Sequence, residues 1–155
     1  MTDFSVVYDR FLGKITDDMY LEWTEQDTRN DLYSILMDAI PGFEFPRKTL
    51  TYTDTSFDED LTSEEINILA ILMMNAWLQR QITSVENIRM KYSGSDFKMT
   101  SQANHLAKLL TLRAETERQS MHMQRLYKRR KTEEGYIKSN WSILRQYSAL
   151  DDNEV

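Results

Sequence analysis

From Thr62 to Lys131 the chain contains a single glycine, Gly94, and no proline. Glycine and proline are the strongest interrupters of a helix, so a stretch this long with one interruption is largely committed to helix. The apolar pattern divides it in two. Thr62-x-x-Glu65 reads as a capping box directly ahead of an apolar run. Ile66, Leu69, Ala70, Met73, Ala76, Trp77, Gln81 and Val85 then follow at helical spacing, and the helix is predicted to reach Tyr92. Ile68, Ile71 and Leu72 widen the apolar face, which predicts a helix at the centre of the core. Ser93-Gly94-Ser95 ends it, and Thr100 or Ser101 caps a second long helix. The inner face of that second helix is read as Ala103, Leu106, Leu109, Leu110 and Arg113, continued by Met123, Leu126 and Tyr127. Between Arg113 and Ser120 the stripe thins to Ala114 and Thr116, so this part is expected to project from the core or to pack against another chain. The link from Ser93 to Met99 is short, which predicts an antiparallel pair.

The first 60 residues are built from shorter pieces. Asp3 or Thr2 caps a helix whose Phe4, Val7, Tyr8 and Phe11 share one face, and Gly13 is placed to end it. Thr16, Asp17 and Asp18 look like a second start, followed by Met19, Tyr20 and Trp23. Thr24 with Asp27 begins a clearer helix with Leu32, Ile35, Leu36 and Ala39 as its stripe, stopped by Pro41-Gly42. Residues 43–60 change character, with Phe43, Phe45, Leu50, Tyr52 and Phe57 set among Thr and Asp. Lys48 to Thr55 alternates with a period near two, which fits a short edge strand or hairpin, an extended arm, or an ordered surface loop. The expected fold class is therefore mainly α. It is a helical bundle built on two long antiparallel helices, with a short extended segment and a C-terminal docking tail. Residues 1–131 form the helical domain, 43–60 its non-helical loop or arm, and 132–155 the tail.

A chain of 155 residues suits one domain, and an apolar share of 41% with 28% charged residues suits a core under a large polar surface. The net charge of −6 is unevenly spread. Residues 1–65 hold 16 acids and 5 bases, net −11, whereas residues 101–138 hold 4 acids and 9 bases, net +5. Such a chain is suited to head-to-tail self-association or to charge-matched partners; alternatively the two halves neutralise each other within one monomer.

Catalytic and metal signatures are sparse. The chain has no cysteine, which excludes disulfides and thiolate metal sites. His105 and His122 are separated by about 25 Å along one predicted helix, too far to share a metal within a subunit. Asp54, Asp58, Glu59 and Asp60 lack the glycine and terminal glutamate of a calcium loop. Ser93-Gly94-Ser95-Asp96 lacks the Gly-Lys-Ser/Thr ending of a phosphate loop. No nucleophile elbow or Cys/His arrangement exists, so no catalytic residue, metal ligand or cofactor is expected. Met1 to Asp9 is acidic and does not read as a signal peptide. The most apolar stretch, Ile66 to Leu78, contains Asn67 and Asn75 and is too short to cross a bilayer, so no membrane partner is expected.

Two features point to binding. Arg125, Lys128, Arg129, Arg130 and Lys131 form a basic run with Tyr127 and Tyr136 nearby. It suits the acidic face of a protein or, more weakly in an acidic chain, a phosphate backbone. Glu133-Glu134-Gly135 is a hinge candidate, after which Trp141, Leu144 and Tyr147 make a stripe too small to form its own core. Trp and Tyr often anchor interfaces, so these three are expected to dock on a neighbour or to fold back on their own domain.

The blocks Leu61-Thr-Ser-Glu-Glu-Ile-Asn-Ile-Leu-Ala, Trp77-Leu-Gln-Arg-Gln, Met90-Lys-Tyr-Ser-Gly-Ser-Asp-Phe-Lys and Thr100-Ser-Gln-Ala-Asn-His-Leu-Ala-Lys-Leu carry a resemblance. With Pro41-Gly42-Phe43-Glu44-Phe45-Pro46, they resemble small virion proteins from phages of Gram-positive hosts. In size and helical layout the chain is similar to head–tail connector (adaptor) proteins. The resemblance implies a homo-oligomer, commonly a dodecameric ring, that sits in the virion neck after synthesis in the host cytoplasm. Its partners would be the portal protein and the next neck or tail component. DNA would pass through the channel without sequence-specific binding. On this reading the partner-binding residues are Arg125, Lys128, Arg129, Arg130, Lys131, Trp141, Leu144 and Tyr147. The 43–60 stretch departs from familiar adaptors, and contact with the next ring component is one role open to it. A nucleic-acid-binding or packaging accessory protein and a free-standing helical regulator are the alternative classes.

Overall fold

The structure is a computed structural model, and it describes residues 1–15, 19–91 and 99–130. It is mainly helical. The elements run β1 (Thr2–Asp3), α1 (Phe4–Leu12), α2 (Met19–Glu22), α3 (Glu25–Ala39), a 3-10 turn (Ile40–Gly42), β2 (Ser56–Phe57), α4 (Ser63–Lys91) and α5 (Met99–Arg129).

The local signals act as expected at the N-terminal end. Asp3 caps α1 by accepting from the Ser5 N–H at 2.8 Å, and Phe4, Val7, Tyr8 and Phe11 are all buried. Thr24 caps α3 by accepting from the Asp27 N–H, and Leu32, Ile35, Leu36 and Ala39 face inward. Both helices pack on α4, and Ile68, Leu69, Ala70 and Met73 of α4 belong to the same buried cluster as their inner faces. The capping box also forms: the Glu65 N–H donates to Thr62 Oγ1 at 3.3 Å, and the Thr62 N–H donates to Glu65 Oε2 at 2.7 Å.

The extended pairing lies one step beyond the segment marked in the sequence. β2 pairs antiparallel with β1 in the register Thr2 with Phe57 and Asp3 with Ser56. Tyr52 forms a bridge to Phe57, and the Asp58 N–H donates to the Thr51 carbonyl, so residues 51–58 turn back on themselves. The fully buried Phe57 drives this arrangement, with its ring edge-on to Phe4 at 4.9 Å.

α5 differs from expectation on two points. Ala103 and Leu110 are exposed rather than inward-facing. The thin stretch is in fact covered, because Thr116, Ser120 and Gln124 are buried. The buried face is Leu106, Leu109, Thr116, Ser120, Gln124 and Tyr127, and with the half-buried Arg113 between Leu109 and Thr116 the spacing is threes and fours, as in the heptad seam of two long packed helices. Polar side chains occupy its middle, where apolarity alone cannot trace it. Trp77 is only partly buried and packs against both core clusters.

α3 and α5 lie on opposite sides of α4. Arg80 reaches α3 through Asp31, Ser34 and Asp38, at 3.2, 2.8 and 2.6 Å. Leu78 and Ile82 cluster with Leu106 and Leu109 of α5. Each stands two residues from Arg80, about 160–200° around a helix that turns roughly 100° per residue.

Candidate functional site

The basic run belongs to a site built from three parts of the chain: the end of α5, the start of α4, and the arm at 42–48. The 3-10 turn at Pro41-Gly42 aims the arm. Gly42 approaches α4 so closely that a Cβ there would stand 3.1 Å from Leu72 Cδ2. The arm then lies along α5. Gln124 meets it with both ends of its amide, donating from Nε2 to the Gly42 carbonyl at 3.1 Å and accepting the Glu44 N–H at 2.9 Å. Phe43 is buried with its ring edge-on to Tyr127 at 5.5 Å.

Arg47 closes the clasp. Its N–H donates to the Tyr127 hydroxyl at 3.1 Å, and its guanidinium lies 4.0 Å from the centre of the Tyr127 ring. The same guanidinium donates to the carbonyls of Tyr127 and Arg130, the latter at 2.8 Å. The last carbonyls of a helix have no partner within it and carry its negative dipole end, so a cation placed here satisfies both needs.

Beneath the clasp is a buried polar pair. Glu65 is 2% exposed and Tyr127 is fully covered. The Tyr127 hydroxyl donates to Glu65 Oε1, while Thr62 holds Oε2 through its N–H and its hydroxyl. Burial alone pushes the Glu65 carboxyl up. The hydrogen bonds from Tyr127 and Thr62, helped by the Lys48 charge, outweigh burial and hold it below its ordinary value. Burial, followed by the bond to Glu65, pushes the Tyr127 hydroxyl up to about 12. The pair is thus an ionised acceptor with a neutral donor. It joins the start of α4 to the end of α5.

The sequence-predicted residues divide into three groups. Lys128 and Arg130 are engaged within the chain: Lys128 Nζ stands 3.8 Å above the Phe45 ring, and Arg130 pairs with Glu64 at 2.9 Å. Arg125 and Arg129 are exposed and have no ion-pair partner among the described residues. Lys131, Trp141, Leu144 and Tyr147, with the hinge at Glu133-Glu134-Gly135, lie outside the described residues. His105 and His122 are exposed on α5. Among the described residues, no three His, Cys, Asp or Glu are grouped to hold a metal, and no helix is long and apolar enough to cross a membrane.

Sequence reasoning missed Arg47, Gln124 and the second role of Glu65. The alternation of Phe43 and Phe45 beside Pro46 was the available signal that the arm packs rather than floats. The partners stand about 80 residues away, beyond any local pattern. No family model, curated protein or solved structure matches this chain.

Proposed function

We propose that this chain is a head–tail connector (adaptor) subunit of a tailed bacteriophage. On this reading α4 and α5 run antiparallel as the spine of a helical bundle. Copies form a ring on the portal, and residues 132–155 are the tail that docks there through Trp141, Leu144 and Tyr147. The observation that carries the proposal is the clasp on the end of α5. Arg47, Gln124 and the Glu65–Tyr127 pair fix the point from which the chain continues beyond Arg130. A segment meant to reach a neighbour benefits from a rigid base, because pre-organisation lowers the cost of ordering on binding. Contacts between Glu64 and Arg130 at one end, and Leu78, Ile82, Leu106 and Leu109 at the other, support the antiparallel pairing.

The test is complementation of a phage lacking this gene. Deletion of residues 132–155, or Trp141→Ala with Tyr147→Ala, is expected to leave the melting transition of the purified protein unchanged and to yield filled heads without tails. Normal infectious particles from the deleted chain would refute the docking role. A packaging accessory protein is the second reading, favoured by Arg125 and Arg129, which have no ion-pair partner among the described residues. Retention on DNA that falls steeply with salt, alongside normal head–tail joining without the tail segment, would select it.

A further inference from the structure

Outside the clasp, α5 carries a second surface that the packing on α4 leaves free. Ala103, Ala107, Leu110, Ala114, Glu117 and Met121 recur every three or four residues, all exposed, with Leu110 and Met121 each 46% exposed. At about 100° per residue they form one stripe, turned about 110° from the seam facing α4. Arg118, Arg125 and Arg129 line its outer edge, and none has an ion-pair partner among the described residues. Small residues with a projecting Leu and Met let another element approach closely, and the arginines call for acid beside it.

Such a surface exists on this same chain, across α4. Trp23 (40% exposed), Asp27, Asn30, Asp31 and Ser34 line a cleft of about 460 Å³ at the start of α3. The cleft offers an aromatic wall with carboxylates along it. Arg80 neutralises part of that charge through Asp31, while Asp27 has no ion-pair partner among the described residues. The whole first half of the chain carries net −11. The stripe and the cleft belong to helices on opposite sides of α4, so one copy cannot bring its own two together.

We propose that copies of this chain associate head to tail, the α5 stripe of one seating Met121 against the Trp23 cleft of the next, with Arg118 and Arg125 beside Asp27 and Asp31. A symmetric pairing of two α5 stripes would offer the three arginines little acid, since Glu117 is the one carboxylate within the stripe. The heterologous arrangement matches positive to negative and leaves a free stripe at one end and a free cleft at the other, the property that lets subunits close a ring. This deepens the connector reading by naming the subunit contact on which its ring would rest.

The absence of cysteine makes the test clean. Full-length chains carrying Trp23→Cys alone and Met121→Cys alone are purified, mixed and oxidised. The expected result is a cross-linked dimer of unlike chains from the mixture and none from either variant by itself. Arg118→Glu with Arg125→Glu is expected to keep the melting transition and weaken self-association in light scattering by at least about tenfold. Cross-linking within the Met121→Cys sample overturns the head-to-tail arrangement. Association without any cross-link overturns this contact and leaves a ring through another face. A chain that is monomeric throughout, or whose charge reversal abolishes only DNA retention, overturns the self-association. The connector reading is then judged by the particle assay, which does not depend on these variants.

Discussion

The two halves of α4 are packed by different means. Its first half, from Ile66 to Met73, is covered by α1, α3 and the aromatic arm, and the rings of Phe4, Phe11, Phe43 and Phe57 fill the space around it. Its second half rests on Leu78 and Ile82 against Leu106 and Leu109, a cluster of four buried residues. Between them, α5 presents Thr116, Ser120 and Gln124. Thr116 satisfies its hydroxyl on its own helix, donating to the Leu112 carbonyl at 2.8 Å, so this middle region costs little to bury but also drives little. The first half supplies the driving force. The polar groups near the end of α5 supply the register, because Glu65 and Tyr127 have a satisfactory partner only in one alignment.

The largest effect should come from breaking the first half. Leu69 is fully buried, and Leu69→Ala is expected to cost about 3–5 kcal/mol in urea unfolding. Leu109→Ala, in the smaller cluster with 9% exposure, should cost nearer 2 kcal/mol. Equal losses would mean that the two halves are packed alike.

Next in size is the polar pair. Tyr127→Phe leaves one oxygen of a buried carboxylate without its donor, at an expected cost of about 2–3 kcal/mol. A cycle with Glu65→Gln should give a coupling of about 1 kcal/mol or more, and additivity would contradict the register role. The pH dependence follows with opposite signs at the two ends. The Glu65 carboxyl is held below its ordinary 4.5, so its contribution is full above that pH and is lost as pH falls through the depressed value. Tyr127 is raised from 10.0 to about 12, so its contribution is full below pH 10 and is lost as pH rises toward 12. Tyr127→Phe should therefore flatten the alkaline limb of stability against pH. It should not abolish it, since burial, then Tyr33 and Asp3, also raise Tyr8 to about 12. Glu65→Gln should flatten the acid limb.

Smaller again is the clasp: Arg47→Ala removes the cation at the end of α5 and should cost about 1 kcal/mol, with faster amide exchange confined to the last turn. The smallest effect belongs to the polar seam. Thr116→Val trades one hydrogen bond for apolar contact and is expected to change stability by less than about 1 kcal/mol. A loss as large as that of Leu69→Ala would show the seam to be more than a spacer.

The sequence was most informative where packing follows local periodicity. α1 and α3 announce themselves through Phe4, Val7, Tyr8 and Phe11, and through Leu32, Ile35, Leu36 and Ala39, each with a capping side chain ahead. Both partners in the capping box of α4 lie within four residues, and it too was legible. Its second use was not: a glutamate at that position is ordinarily solvated, and nothing nearby marks Tyr127, 62 residues on, as its donor. The seam of α5 was misread because Thr116, Ser120 and Gln124 look like surface, while Leu110 looks like core. Trp77 shares the helical spacing of the α4 core residues but is only partly buried, against both clusters. β1 is two residues long and pairs with residues more than 50 positions away, which no periodicity reports.

Arg47 has one further consequence, a mechanical one. It grips the carbonyls of Tyr127 and Arg130 from outside the helix, and Arg130 is itself tied to Glu64. A pull on the chain beyond Arg130 therefore does not fall on the last turn of α5 alone. The load passes sideways into the arm and into the start of α4, and several bonds must fail together before the helix can unravel from its end.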